Sequence, residues 1–161
     1  MTKYVLPALA VALAVLVPLA ALADGGRRVA PISDPLVVKE CGACHMAFQP
    51  EFLPARSWDK LMADLANHFG DDASLPAASR ERIRAYLAAN AAGVAPGKES
   101  QKVAASVPWG ATPLRITETG RWAHKHRPGE VNPASFSSAK VKSKANCTAC
   151  HTGAAQGYYE D

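Results

Sequence analysis

The sequence has 161 residues, of which 48% are hydrophobic and 20% charged, and its formal net charge is +4. This charge is too small to indicate a nucleic-acid-binding protein, and the apolar content excludes a disordered tail. Twelve prolines, eleven glycines and 7% aromatic residues leave little material for a large core. One domain or two small lobes are expected, and a large bound apolar group would help to stabilise them.

Residues 1–23 have the pattern of a secretory signal peptide. Lys3 provides a basic start, an apolar segment of Ala, Val, Leu and two prolines follows, and Ala21-Leu22-Ala23 matches a small-residue cleavage site. The two prolines and the lack of a basic cluster after the segment argue against a membrane anchor. We expect cleavage after Ala23, export to the periplasm and no membrane span in the mature protein.

The N-terminal half is predicted to be helical between irregular segments. Its predicted elements are an extended segment over 24–38, a short helix over 37–45, a loop over 49–56 and a helix that ends before Gly70. Ser57 is the candidate N-cap of this last helix, which continues to about Phe69. A further helix is predicted over 76–92, with Ile83 and Leu87 on its buried face.

The polar segment 95–107 is predicted to be a linker between an N-terminal lobe, 24–94, and a C-terminal lobe, 108–161. Four prolines beyond this segment leave little room for long helices, and residues 115–125 fit either a short helix or a strand. No strand pattern extends beyond a few residues. The predicted fold is therefore mainly α with extensive coil, in two small lobes.

All four cysteines lie in two copies of one pattern, CGACH at 41–45 and CTACH at 147–151. This pattern is the attachment signature of c-type haem. Its two thiols form thioethers with the haem vinyl groups, and the histidine that follows becomes the proximal iron ligand. The sequence therefore predicts two covalently attached haem c groups, bound through Cys41, Cys44, Cys147 and Cys150, with His45 and His151 as proximal ligands.

Three other interpretations of the cysteines fit less well. A disulfide within either motif would close a strained four-residue loop and would leave the two histidines unexplained. A zinc site does not need the trailing histidines, and the two cysteine pairs are far apart in sequence. A redox-active dithiol would lie in a strand–helix–strand setting, for which the sequence has no matching alternation.

The three remaining histidines are candidates for the sixth coordination position of the irons. His68 follows two leucines at helical spacing, so it is predicted to lie on an apolar face as the distal ligand of the first haem. Met62 is the rival ligand, although it resembles ordinary core packing. For the second haem, spacing does not separate His124 from His126, and only one should face the iron because residues two apart point in different directions.

The sequence resembles the exported dihaem cytochrome c family of bacteria (DHC). Besides the two motifs, the similar stretches are Trp58 to His68-Phe69-Gly70, Ile116-Thr117-Glu118-Thr119 and Lys125-His126-Arg127. The resemblance implies an N-terminal lobe like a shortened class I cytochrome c and a C-terminal lobe with little regular structure. It also implies bis-histidine irons, with the pairs His45–His68 and His126–His151, and it favours His126 over His124.

Bis-histidine ligation implies low-spin, low-potential haems with no open position for a substrate. The expected function is a periplasmic carrier of single electrons, with no catalytic residue, between a membrane cytochrome or quinol-linked donor and a soluble redox partner. The resemblance suggests a small high-spin monohaem cytochrome as one acceptor, and the carrier is expected to be a monomer. The alternative is a peroxidase-like dihaem enzyme with one open or displaceable haem ligand.

Overall fold

Prolines and glycines divide residues 28–159, the part of the chain that the computed structural model describes, into short helices. The α-helices of this range are α1 Pro35–Gly42, α2 Ala55–Ala63, α3 Ala77–Ala89, α4 Lys98–Ala105 and α5 Gly120–Lys125. The 3₁₀ turns are Pro50–Phe52, Leu65–Asn67, Ile116–Glu118, Pro133–Ser137, Cys147–Ala149 and Ala154–Gln156. Between residues 28 and 159 there are isolated β-bridges but no strands, so the prediction of a mainly α fold with extensive coil is confirmed.

The hydrophobic core lies between α2 and α3. Helix α3 begins one residue later and ends three residues earlier than predicted, and its buried residues are Ile83 and Leu87, as the apolar spacing indicated. The core cluster consists of Val37, Leu53, Trp58, Met62, Leu65, Ile83, Leu87 and Ala91. All of these residues precede residue 92, so the N-terminal half contains the main protein core.

Replacing Ile83 by alanine should lower the free energy of unfolding by about 2–5 kcal/mol, because the side chain is fully buried and its loss leaves a cavity. Denaturant unfolding of the holoprotein measures this change. Val94→Ala is the control, since Val94 is 58% exposed and its truncation should change stability by no more than about 0.5 kcal/mol. Equal effects of the two substitutions would contradict the position of the core.

Helix α1 begins earlier and ends earlier than predicted. The Asp34 carboxylate accepts a hydrogen bond of 2.8 Å from the backbone N–H of Leu36, and Pro35 occupies the first helical position. Such a cap and a first-turn proline both favour a helix start. The predictions of an extended segment to residue 38 and of a helix over 37–45 were therefore wrong at their boundaries.

Helix α2 differs from its prediction at both ends. It begins at Ala55, after Pro54 in an extended conformation, so Ser57 is not the N-cap but a buried residue of the first turn. It ends at Ala63, because Asp64 leaves the helical region of φ and ψ. The predicted continuation to Phe69 was wrong: a separate 3₁₀ turn, Leu65–Asn67, follows. The predicted loop over 49–56 likewise contains the turn Pro50–Phe52 and the start of α2.

The segment predicted to be a linker, 95–107, contains helix α4. Ser100 and Val103 lie one helical turn apart and are both buried, against the turn Pro50–Phe52 and against α5. This segment is therefore packed structure rather than an irregular connection. Its polar composition concealed the helix because only one narrow face of α4 is buried.

The two ends of the described chain lie together. The backbone N–H of Val29 donates to the carbonyl of Gly157 at 2.9 Å, and Arg28 forms an antiparallel bridge with Tyr158. Val29 is 2% exposed. The division into lobes at 24–94 and 108–161 stays a prediction, and residues 28–29 contact the second of these segments.

The signal peptide predicted over residues 1–23 lies outside the described residues. Within 28–159 no helix is long and apolar enough to cross a membrane. Beyond residue 107 the helical elements are short, as the prolines indicated, and residues 115–125 form a 3₁₀ turn and α5 rather than a strand.

Candidate functional site

The first CxxCH motif lies at the end of α1. Cys41 is in the last turn of the helix and is partly buried, whereas Cys44 is exposed. The ring of His45 is hydrogen-bonded through Nδ1 to the carbonyl of Met46 at 2.7 Å. Because a carbonyl only accepts, Nδ1 carries the proton and the lone pair of Nε2 is left for a metal.

A turn rather than a helix presents His68. The backbone of His68 forms a two-way bridge with Asp71, and the next residues, Phe69 and Gly70, have positive φ angles of 57° and 104°. A left-handed conformation is uncommon for phenylalanine, so the path of the chain here is closely determined by its surroundings. The sequence placed His68 on the apolar face of a helix, whereas the structure places it, half-buried, on a turn.

The rings of His45 and His68 lie close together. Their centroids are 6.2 Å apart and their planes differ by 21°. Nδ1 of His68 is buried and has no hydrogen-bond partner. Burial, and then the nearby His45, lower the pKa of His68. Both effects favour the neutral imidazole, which is the form that binds a metal.

The second CxxCH motif forms a 3₁₀ turn, Cys147–Ala149, which leads into His151. His126 follows the last residue of α5, and its ring centroid is 6.1 Å from that of His151, with the two planes at 89°. Nδ1 of His126 donates to the carbonyl of Trp122 at 2.9 Å, and the two side chains stack with centroids 4.4 Å apart. As at His45, this bond leaves Nε2 for a metal.

His124 lies on another side of α5 from this pair. It is exposed, and its ring and backbone carbonyl contact the guanidinium of Arg127. Met62, the rival candidate for the first haem, is 5% exposed and belongs to the hydrophobic core. The structure thus places His126, and not His124, beside His151.

Both histidine pairs have the separation that a shared metal atom requires. Two imidazoles that bind one metal from opposite sides, through bonds of about 2.0 Å, have ring centroids about 6.3 Å apart. The observed separations are 6.2 Å and 6.1 Å. The residues present therefore fit an iron atom between each pair, with the adjacent cysteines available for thioether bonds.

A cavity of about 150 Å³ adjoins the second pair. Its lining includes His126 and His151 together with Cys147 and Cys150, and the surrounding side chains are largely apolar, among them Phe52, Val103, Ile116, Trp122, Val131, Phe136 and Val141. An apolar cavity beside two thiols and two imidazoles matches the surface of a haem.

The two sites adjoin each other. Thr148 of the second motif and Ala155 line the same groove as Gly42 and His45 of the first motif. A buried polar contact also joins the two regions: the Gln49 side chain donates to the carbonyl of Ala154 at 2.8 Å. Residues from distant parts of the sequence therefore meet between the sites.

Gln49, Tyr159 and Trp122 were not identified from the sequence. The Tyr159 hydroxyl donates to the Gln49 side-chain oxygen, and the Tyr159 ring lies 5.6 Å from the ring of His151. Burial raises the pKa of Tyr159, so its phenol stays protonated as a donor. Trp122 could have been noticed one helical turn before His126, but no local pattern connects Gln49 with Tyr159.

This fold and these paired sites define a c-type cytochrome with two haems. The family model of dihaem cytochrome c (DHC) matches residues 37–159. The chain therefore belongs to the dihaem cytochrome c family, as the motifs and intervening residues predicted. Membership establishes two covalently bound haem c groups as cofactors and indicates a function in electron transfer.

Solved structures of the same class are similar to this chain. A diheme cytochrome c from Rhodobacter sphaeroides is 47% identical with a TM-score of 0.72, covering 81% of this chain and 99% of its own. A diheme cytochrome type c from Shewanella baltica OS155 is 33% identical with a TM-score of 0.61, covering 78% of this chain and 86% of its own. No curated protein matches the sequence.

Proposed function

We propose that the protein is a carrier of single electrons in which both haem irons have two histidine ligands. Cys41 and Cys44 would attach the first haem, with His45 and His68 on its iron. Cys147 and Cys150 would attach the second, with His151 and His126 on its iron. The observation that carries this proposal is the separation of the ring centroids within the two histidine pairs, 6.2 Å and 6.1 Å.

Haem c supplies an iron that takes up and releases one electron. The four histidines would fill both axial positions of each iron, which excludes oxygen, peroxide and other ligands. Two imidazole nitrogens stabilise ferric iron more than a histidine and a methionine do, so both potentials should be low. Fixed ligands also keep the geometry nearly constant when an electron arrives, and this favours fast transfer.

The proximity of the two motifs supports transfer of the electron between the haems. Thr148 of the second motif shares a groove with His45 and Gly42 of the first, so the edges of the attached groups would meet near this groove. The buried Gln49 side chain connects the segments that carry the two proximal histidines. An electron accepted at one haem could then leave from the other.

The proposed location is the periplasm, after removal of residues 1–23. The signal pattern and the attachment of haem c outside the bacterial cytoplasm support it. The proposed donor is a membrane cytochrome or a quinol-linked protein, and a small high-spin monohaem cytochrome is one proposed acceptor. We propose that the protein acts as a monomer of two lobes, 24–94 and 108–161.

Reversible redox titration of the holoprotein, with added ligands, tests the carrier function. We expect two one-electron steps at low potential, with no change in the visible spectrum of the reduced protein under carbon monoxide. Peroxide should oxidise the reduced haems no faster than it oxidises a bis-histidine haem peptide, used as the control. Stoichiometric binding of carbon monoxide, or turnover of peroxide, would contradict the carrier and favour a peroxidase-like enzyme.

A further inference from the structure

Gln49 is a fully buried polar residue that connects the first haem segment to the second. It lies four residues after His45, and its side chain donates to the carbonyl of Ala154 at 2.8 Å. Ala154 in turn donates its backbone N–H to the carbonyl of His151 at 2.9 Å. The Gln49 amide therefore fixes the turn that immediately follows the second proximal histidine.

The same amide also fixes an aromatic ring beside that histidine. The Gln49 oxygen accepts the hydroxyl hydrogen bond of Tyr159, whose ring packs edge-on against Phe52 at 5.0 Å. The Tyr159 ring also contacts the ring of His151, with centroids 5.6 Å apart and planes at 56°. The side chain of Gln49 thus acts on His151 both through the backbone turn and through Tyr159.

The two histidine pairs differ in the angle between their rings. The planes of His45 and His68 differ by 21°, whereas those of His126 and His151 are crossed at 89°. Two parallel imidazoles on a ferric iron donate into the same d orbital, so its energy is separated from that of the second d orbital of the same symmetry. Two crossed imidazoles donate into different d orbitals, so the energies of these two orbitals stay nearly equal. The EPR signal of the ferric iron is then far more anisotropic.

Each ring of the crossed pair is held by a different neighbour. His126 is fixed within its own helix end, by the hydrogen bond to the Trp122 carbonyl and by stacking on the Trp122 ring. His151 packs against Tyr159. Partners of this kind set the orientation of a metal-bound imidazole. The crossing therefore depends on Tyr159 keeping its place beside His151.

We propose that Gln49 and Tyr159 are positioning residues that hold the His151 ring across the His126 ring. This rests on the proposed bis-histidine ligation of the second haem. A side chain from the segment of the first haem then sets the electronic state and the potential of the second. The two haems are consequently distinguishable: one has near-parallel ligands, and the other has crossed ligands.

Tyr159→Phe tests this proposal with the smallest possible change, because it removes the hydroxyl and keeps the ring. The full-length holoprotein is measured by low-temperature EPR and by redox titration. In the unaltered protein we expect one strongly anisotropic low-spin signal and one ordinary low-spin signal. Tyr159→Phe should reduce the anisotropy of the strongly anisotropic signal, which the proposal assigns to the second haem. It should also shift the midpoint potential of one haem and leave the ordinary low-spin signal unchanged.

Tyr158→Phe is the matched control. Tyr158 is adjacent, is 41% exposed and interacts with Arg28 rather than with Gln49. Its substitution should change neither signal nor midpoint. Gln49→Leu, which removes the bonds to Tyr159 and Ala154 together, should give a larger shift of the same signal than Tyr159→Phe.

Two results would overturn the proposal. One is a folded Tyr159→Phe protein whose EPR signals and midpoints equal those of the unaltered protein. The other is an unaltered protein with two ordinary low-spin signals of equal anisotropy. A high-spin signal in the unaltered protein would instead contradict the bis-histidine ligation itself, so failure of the positioning role and failure of the proposed function are distinguishable.

Discussion

Replacing His126 by alanine should convert the second haem from a low-spin to a high-spin form, while the first haem stays low-spin. The ring centroid of His126 lies 6.1 Å from that of His151 and its Nε2 is left for the iron, so removal of this ring would leave one axial position of the iron open. The visible and EPR spectra of the oxidised protein measure the spin state. About half of the haem should become high-spin, and added imidazole should restore the low-spin form.

The control for this substitution is His124→Ala, two residues away. His124 is exposed and contacts Arg127, so its loss should leave both haems low-spin and both potentials nearly unchanged. The reverse outcome, with a high-spin haem in His124→Ala and none in His126→Ala, would exchange the roles of these residues. It would also require α5 to turn by nearly half a rotation about its axis.

The double substitution Cys147→Ser with Cys150→Ser should remove one haem and unfold much of the chain beyond residue 107. Between residues 108 and 159 the buried apolar side chains are only Val141 and Ala154, which cannot form a core alone. The apolar cavity beside the second motif indicates that the haem takes the place of this core. The measured mass of the protein should fall by the mass of one haem group. Mild proteolysis should cut the C-terminal part first.

The N-terminal part provides the internal control for this variant. Its core between α2 and α3 does not depend on the second motif, so the first haem should be retained with an unchanged spectrum. Cys41→Ser with Cys44→Ser should remove the other haem. Retention of two haems after Cys147 and Cys150 are both replaced, or a C-terminal part as resistant to protease as before, would contradict the supporting role of the second haem.

The features that could be predicted from sequence are those encoded by neighbouring residues. Each CxxCH motif consists of five consecutive residues, so haem attachment can be predicted from the sequence alone. Helix α3 follows from apolar spacing that includes Ile83 and Leu87. Helix α4 was missed because only a narrow face, with Ser100 and Val103, is buried. The end of α2 was missed because nothing in the sequence marks Asp64 as the point where the helix stops.

The arrangement around the haems depends on contacts between distant residues. His68 was selected by helical periodicity, yet a turn with Phe69 in a left-handed conformation presents it. The tertiary fold imposes that conformation, which phenylalanine does not prefer. The bond between Gln49 and Tyr159 joins residues 110 positions apart, and no local pattern encodes such a contact.

The central claim is that each haem iron has two histidine ligands and no open coordination position. Low-temperature EPR of the oxidised full-length protein tests this claim most directly, with a mass spectrum to confirm two haems. Every axial position has a histidine candidate in place: His45 and His68 for the first haem, and His126 and His151 for the second. We therefore expect two low-spin ferric signals and no high-spin component. A substantial high-spin signal from the native protein would show an open iron and contradict the account.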